Sequence, residues 1–172
     1  MTRSMKIKAN QQGFTLIELV VVIVILGILA VTAAPRFINL TDDARTATLD
    51  AVRGSLETVN NLTFAKALIA GNETVDGDAT TAPTIDVDGT TVNISFGYPR
   101  SNSGMAAIFS ANLLDLDTNE FDINEYAGTD IVYIEPNGVR ADTTTAAPTS
   151  CFVSYAESTA IGTKPTIVVS DC

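Results

Sequence analysis

The feature that most constrains this chain is an apolar stretch of 21 residues, Phe14 to Ala34, whose only charged residue is Glu18. As a helix this stretch is roughly 30 Å long, which matches the hydrocarbon core of a bilayer. A carboxylate at bilayer depth costs about 2.5–3.5 kcal/mol, so a lone one usually marks function. We therefore predict a transmembrane segment at 14–34 and a functional partner for Glu18.

A short polar leader, residues 1–13, precedes the apolar stretch. Its charged residues are all basic: Arg3, Lys6 and Lys8. The positive-inside rule places this leader in the cytoplasm and the remainder of the chain outside it. An ordinary secretory signal loses its apolar core, because the small cleavage residue follows that core. Here Gly13 comes first, so cleavage after it leaves the helix attached and frees the amino group of Phe14. An uncleaved signal anchor is the alternative.

The acidic balance of the chain argues against nucleic acid as a partner. The net charge is −10, and loss of the three basic leader residues makes it −13, whereas nucleic-acid affinity depends largely on Lys and Arg. The chain has no histidine, so few groups are available as general bases. We expect no catalytic residues and no cofactor, although two facing carboxylates of the glycosidase kind are not excluded by the sequence.

The two cysteines, Cys151 and Cys172, have 20 residues between them. A position outside the cytoplasm predicts a disulfide, which would enclose the region 151–172 and contribute about 3 kcal/mol. This separation is not the close spacing of a redox pair. A structural disulfide is therefore predicted.

A single helix is predicted over residues 14–69, with an apolar first half and an amphipathic second half. Gly27 weakens it, and Pro35 removes one of its hydrogen bonds, which predicts a kink near residues 31–35. The predicted apolar stripe of the second half consists of Phe37, Leu40, Ala44, Ala47, Ala51, Val52, Leu56, Val59 and Leu62.

Residues 70–172 are predicted to form a globular head. A surface loop is expected at 70–83, a hairpin around Asp88-Gly89 and a short helix at 103–114. Further strands are expected at 130–135, 151–156 and 165–170. The predicted fold class is α+β, with the long helix packed on an antiparallel sheet of about four strands.

An acidic segment, Asp115 to Glu120, begins like a calcium loop. It lacks the required glycine at position 120, and Tyr126 stands where a bidentate glutamate would close the site, so an EF-hand is rejected. Two interpretations stay open: a solvated acidic loop, or a looser calcium site. The candidate ligands of the latter are Asp115, Asp117, Asn119 and Asp122.

Taken together, the Gly13-Phe14-Thr15-Leu16-Ile17-Glu18 motif, the apolar run, Pro35 and the C-terminal cysteines resemble type IV pilins, in particular type IVa-like prepilins. The segment 34–40, the Gly97-Tyr98-Pro99 corner and the end at Cys172 are similar to the mannose-sensitive haemagglutinin (MSHA) subgroup.

The resemblance implies a role for each residue of the motif. A prepilin peptidase would cut between Gly13 and Phe14, and the Phe14 amine would be N-methylated. Glu18 would pair with the Phe14 amine of a neighbouring subunit and fix the register of assembly. Protonation of Glu18, or its reaching the membrane interface, is the alternative. Near Pro35 the helix would either bend at the membrane exit or unwind locally in the fibre.

The resemblance further implies a major pilin that waits in the inner membrane and then polymerises with itself into an extracellular filament. Its partners would be the peptidase, the pilus assembly machinery and a carbohydrate or other surface receptor, in attachment, adhesion and biofilm formation. The alternatives are a pseudopilin of type II secretion and a minor pilin that binds DNA. The cysteine pair favours a pilin over a pseudopilin, and the negative charge disfavours DNA binding.

Overall fold

The computed structural model describes residues 14–78, 81–102, 109, 113–126, 129–140 and 146–172. These residues form one long helix and seven strands. The chain divides into two compact units, Met1–Leu40 and Thr41–Cys172. The helix, α1, spans Leu16–Ala70 and contributes to both, which confirms the predicted long N-terminal helix.

In the first unit, the described large apolar side chains of α1 are exposed on every face. Every Val, Ile, Leu and Phe from Phe14 to Val31 is at least 46% exposed. Among the described residues, no helix combines the length and the apolar character needed to cross a membrane. The predicted span at 14–34 includes Ala33 and Ala34, whose side chains lie outside the described set, and it stays a prediction.

The helical backbone of α1 continues without interruption through positions 27 and 35. A proline inside a helix removes one hydrogen bond without necessarily ending the helix. The kink expected from Gly27 and Pro35 stays a prediction.

In the second unit, one face of α1 is buried at spacings of three and four residues. The buried positions are Leu49, Val52, Leu56, Val59, Asn60, Thr63 and Ala67. This corrects the predicted stripe, because Ala44, Ala47 and Ala51 are exposed and Leu62 is 44% exposed. Alanine fits either face of a helix, so the phase of the stripe is set by the larger side chains that the sheets cover.

The first sheet has the order β1-β2-β3, with β1 at Thr84–Val87, β2 at Thr90–Ser95 and β3 at Tyr98–Pro99. Asp88 and Gly89 join β1 to β2 with φ angles of 49° and 84°. Two successive positive φ angles are typical of the tight turns that match strand twist. The predicted hairpin is confirmed.

The second sheet is an antiparallel meander of β4 (Phe121–Glu125), β5 (Ile131–Pro136), β6 (Phe152–Ala156) and β7 (Thr166–Ser170). The strands predicted at 130–135, 151–156 and 165–170 are confirmed as β5 to β7. The predicted α+β fold with an antiparallel sheet of about four strands is confirmed, and the hairpin lies in a separate sheet of three strands. The helix predicted at 103–114 falls largely outside the described residues.

Strand β4 was not predicted, because its carboxylates and amides suggested an acidic loop. Phe121 and Ile123 alternate with Asp122 and Asn124, and Ile123 pairs with Ile134 of β5. Phe121 and Ile123 pack against the core. Cross-strand pairing therefore overrides the polar composition of this segment.

The core of the second unit is formed jointly by α1 and both sheets. Its buried members include Leu56 of α1, Val92 of β2 and Tyr155 of β6. A disulfide joins Cys151 to Cys172, as predicted. The backbone N–H of Cys172 also donates to Thr46 Oγ1 of α1 at 3.1 Å. Cys172 is therefore bonded both to the residue that precedes β6 and to α1.

Candidate functional site

The start of α1 holds the carboxylate that the sequence singles out. The backbone N–H of Thr15 donates to Glu18 Oε2 at 2.9 Å, and the Thr15 hydroxyl donates to the same oxygen at 2.8 Å. In return, the backbone N–H of Glu18 donates to Thr15 Oγ1 at 3.4 Å. This reciprocal pattern is a capping box, which satisfies N–H groups that the first helical turn leaves unpaired.

The two oxygens of the Glu18 carboxylate have different environments. Both bonds from Thr15 end on Oε2, whereas Oε1 accepts no hydrogen bond from any described residue. The side chain is exposed, and its negative charge lies in the first turn, where the helix dipole favours an anion. The carboxylate is thus oriented through one oxygen and open to a partner through the other.

Apolar side chains surround this carboxylate. Phe14 is 84% exposed, and together with Ile17, Val21 and Val22 it lines a shallow apolar groove that includes Glu18. A charged partner that approaches Oε1 therefore meets an apolar surface around the contact. Such surroundings strengthen an ion pair once water is excluded.

The capping role of Thr15 was missed by the sequence analysis, although the signal was present. Thr15-Leu16-Ile17-Glu18 fits the S/T-x-x-E pattern that precedes an apolar run. Phe14 and Leu19 also occupy the two positions of a hydrophobic staple. The sequence analysis considered an intermolecular pair, protonation and the membrane interface for Glu18, but not a partner within its own chain.

The remaining predicted residues of the site are only partly described. Gly13 lies outside the described residues, and so does the predicted cleavage bond between Gly13 and Phe14. Phe14 precedes the capping residue Thr15 directly. Cleavage, methylation and intermolecular pairing at these positions stay predictions.

The acidic segment before β4 forms a local turn. Asp117 Oδ1 accepts hydrogen bonds from the backbone N–H of Asn119 at 2.8 Å and from its side-chain amide at 2.7 Å. These bonds lower the pKa of Asp117. Asp122 lies in β4. In the described part of the chain, no group of three or more His, Cys, Asp or Glu side chains is arranged to hold a metal ion.

Two buried ionic groups were not predicted, and the first centres on Arg100. Its guanidinium donates to Gly77 O at 2.6 Å and to Glu157 Oε2 at 3.4 Å, and it also pairs with Asp78. A Cβ at Gly77 would lie 2.7 Å from Arg100 Cδ. This close approach explains why position 77 is a glycine. The ionic group around Arg100 joins the 76–78 turn to Glu157, which directly follows β6.

The second group joins Glu135 of β5 to Arg140. Glu135 is 2% exposed, and its Oε2 accepts hydrogen bonds from Arg140 at 3.0 Å and from the Tyr126 hydroxyl at 3.4 Å. Burial raises the pKa of Glu135, and Asp122, which faces it across the β4–β5 ladder, raises it further. Tyr126 is 7% exposed and the Arg140 side chain 27% exposed, and all three partners belong to the same chain, which favours a structural role.

Comparison with known proteins bears on the helix start. Residues 8–34, which include Gly13, Phe14 and Glu18, match the family model of the prokaryotic N-terminal methylation motif. The chain carries this motif. It is also 46% identical over 56 residues to the type IV narrow pilus major component PilA5 of Thermus thermophilus.

The extent of these similarities is limited. The match to PilA5 covers 33% of this chain and 48% of that relative, so it spans about half the length of the relative. No solved structure matches the chain. The narrower resemblance to the MSHA subgroup is not supported by these findings.

Proposed function

We propose that this chain is a structural subunit, rather than an enzyme, of a type IV pilus. The observation that carries the proposal is the geometry at the start of α1. A carboxylate held by Thr15 through Oε2 presents Oε1 at the head of an apolar helix, within a matched N-terminal methylation motif.

The exposed apolar surface of the first unit supports assembly with other copies. Side chains that are about half exposed recur from Phe14 to Val31, and soluble monomers rarely expose contiguous apolar surface of this kind. Burial against like helices stabilises at roughly 25 cal/mol per Å². In this proposal the inner membrane covers the surface at 14–34 before assembly, and neighbouring subunits cover it afterwards.

The register of assembly is assigned to Glu18. A prepilin peptidase removes residues 1–13, and the new α-amine of Phe14, N-methylated and still protonated, pairs with Oε1 of Glu18 on an adjacent subunit. A shifted register would leave both charges buried and unpaired, which is costly. The Thr15 bonds support this role because they orient the carboxylate before the partner arrives.

The assembled filament would lie on the cell surface and serve attachment, adhesion and biofilm formation. The similarity to a major pilus component supports this assignment over a short periplasmic pseudopilus. The disulfide between Cys151 and Cys172 supports a location outside the cytoplasm, where disulfides persist. The MSHA subgroup and its receptor form no part of the proposal.

Electron microscopy of surface filaments, combined with mass spectrometry of their N-terminus, tests the proposal. We expect filaments built of chains that begin at a methylated Phe14. Glu18→Ala should reduce filament number at least about tenfold, the effect of losing roughly 1.4 kcal/mol per subunit contact, while the chain still reaches the membrane.

A matched control is Glu120→Ala, which removes an exposed carboxylate from the turn before β4. This variant should assemble normally. Normal filaments from Glu18→Ala, or filaments whose chains retain residues 1–13, would contradict the proposal.

A further inference from the structure

The last strand of the second sheet, β7, has an open edge, because it pairs with β6 and with no other described strand. In register with that ladder, the backbone N–H of Cys151 donates to Asp171 O at 3.0 Å. Hydrogen-bonded and non-hydrogen-bonded pairs alternate along an antiparallel ladder. It follows that three residues of β7 direct their N–H and C=O groups away from β6, towards the open edge. These residues are Thr166, Val168 and Ser170.

The backbone groups at this edge are available for pairing. None of the three outward N–H groups donates to a described residue outside the sheet. The Val168 side chain is 48% exposed, so the middle of the strand is accessible. A row of such groups is a template on which another strand is able to add.

The β7 edge lacks the protection that the other described sheet edges of the second unit have. Edge strands usually avoid pairing with another chain by carrying charges or by being very short. Strand β4, at the opposite edge, contains Asp122 and Glu125, and β1 contains Asp86. Strand β3 has only two residues. In contrast, the five residues of β7 carry no charge.

The sequence of β7 is complementary to itself. In an antiparallel pair centred on Val168, that residue lies opposite its own copy. Ile167 then lies opposite Val169 of the other chain, and at the ends Thr166 lies opposite Ser170. Polar residues thus meet polar residues and β-branched apolar residues meet each other, which are favourable cross-strand pairs. The same register brings the outward backbone groups of the two chains together, with two hydrogen bonds in each such pair.

Charges at the two ends of β7 support the same arrangement. Lys164 precedes the strand, Asp171 follows it, and both are exposed. In an antiparallel pair, the start of one strand lies beside the end of the other. Each end of the pair therefore brings a lysine of one chain towards an aspartate of the other, and these opposite charges attract. Away from this edge, two copies of a chain with a net charge of −10 repel each other.

We propose that β7 pairs with β7 of a second copy of this chain, so that the two four-stranded sheets become continuous. Main-chain pairing at an exposed sheet edge is a recurrent mode of recognition. A two-fold contact uses the same surface on both chains and closes after two copies. It does not by itself extend a filament, so it is additional to the helix contacts of the proposed function and does not depend on them.

Cysteine cross-linking of the full chain in detergent micelles tests this inference on unassembled chains. The Cα atoms of a hydrogen-bonded antiparallel pair are about 5.5 Å apart, which a disulfide is able to span. Val168→Cys should therefore form a covalent dimer under mild oxidation, as measured on non-reducing gels. Peptide mass spectrometry should show that the new bond joins position 168 of the two chains while Cys151 stays bonded to Cys172.

A matched control is Glu120→Cys, which places a thiol at an exposed position in the turn before β4. It should give only the background dimer that random collision in a shared micelle produces. Val168→Cys combined with Glu18→Ala should cross-link like Val168→Cys alone, which separates this inference from the proposed function.

Amide hydrogen exchange measured by NMR tests the register of the pair. The N–H groups of Thr166, Val168 and Ser170 should become protected as the concentration of the chain rises. Those of Ile167 and Val169 should be protected at every concentration, because they donate to β6.

Two substitutions at the centre of the strand complete the test. Val168→Lys places like charges opposite each other and should weaken pairing about fivefold or more. Val168→Thr keeps a β-branched, uncharged side chain and should pair like the parent chain. Val168 is half exposed, so both variants are expected to fold, as circular dichroism should show.

Each of three results would overturn the inference. They are equal dimer yields from Val168→Cys and Glu120→Cys, exchange of the Val168 N–H that is equally fast at every concentration, and undiminished pairing in Val168→Lys.

Discussion

The two units of this chain differ in the burial of their apolar side chains and carboxylates. In the first, the described leucines, valines and isoleucines are exposed, and among the described residues Glu18 is hydrogen-bonded by Thr15 alone. In the second, apolar residues from a helix and two sheets bury one another, and Glu135 is enclosed with Arg140. Both units share α1, so helix formation alone does not determine burial. Burial within one chain therefore requires a second element that packs on the helix, and the described residues of the first unit provide none.

Paired leucine truncations give the largest expected contrast. Leu56 is fully buried in the second unit, whereas Leu26 is 58% exposed in the first. Leu56→Ala should lower the free energy of unfolding by about 2–5 kcal/mol, through lost burial and a residual cavity. Leu26→Ala should change it by less than about 0.5 kcal/mol. Urea denaturation in detergent, followed by tyrosine fluorescence, measures both.

Equal losses in these two variants would mean that the first unit is also packed within the single chain, which would contradict the contrast in burial between the two units. Leu26→Val provides a further control for any change in helix propensity.

Breaking the buried ion pair should have a smaller effect. Arg140→Met leaves Glu135 buried without its guanidinium, and since Arg140 is itself partly exposed, we expect a loss of about 2 kcal/mol at pH 7. Arg53→Met removes a pair with Glu57 on the helix surface and should cost less than about 0.5 kcal/mol. Similar losses in the two variants would show that burial does not distinguish these pairs.

The same pair predicts a dependence on pH. Because burial raises the pKa of Glu135, the folded state binds its proton more tightly than the unfolded chain does. The stability contributed by this proton is complete below the ordinary carboxyl pKa and is lost as the pH rises through the raised folded pKa. Relative to the parent, Glu135→Gln should therefore gain stability as the pH increases across that window. A difference between the two chains that does not change with pH would contradict this.

The sequence revealed those parts of the fold that depend on local chemistry. Asp88-Gly89 favours a turn whatever surrounds it, and the two cysteines have only one possible pairing within the chain. The apolar runs of β5, β6 and β7 were recognisable in the same way. Each of these features depends either on residues that are neighbours in sequence or on residues that have only one possible partner in the chain.

Features that depend on distant partners could not be predicted. Strand β4 exists because β5 pairs with it, and the same pairing places Asp122 opposite Glu135. Nothing near Glu135 in sequence shows that its side chain is buried beside Tyr126 and Arg140. At the candidate site, the importance of Glu18 was predictable from its isolation in apolar sequence. The sequence does not show that both hydrogen bonds from Thr15 end on one carboxylate oxygen and leave the other open.

The smallest expected effect concerns the cap itself. Thr15→Ala removes the hydroxyl that donates to Glu18 and accepts from its backbone N–H. Loss of such a cap costs about 1 kcal/mol, or roughly a fivefold faster opening of the first helical turn. Amide hydrogen exchange of Glu18 and Leu19, whose N–H groups bond to Thr15, should accelerate by that factor, while exchange in the second unit stays unchanged. Thr15→Ser keeps the hydroxyl and should restore the parent rate. Parent-like exchange in Thr15→Ala would mean that the bond to Glu18 does not stabilise the start of the helix, and the carboxylate would then be free to reorient before any partner binds.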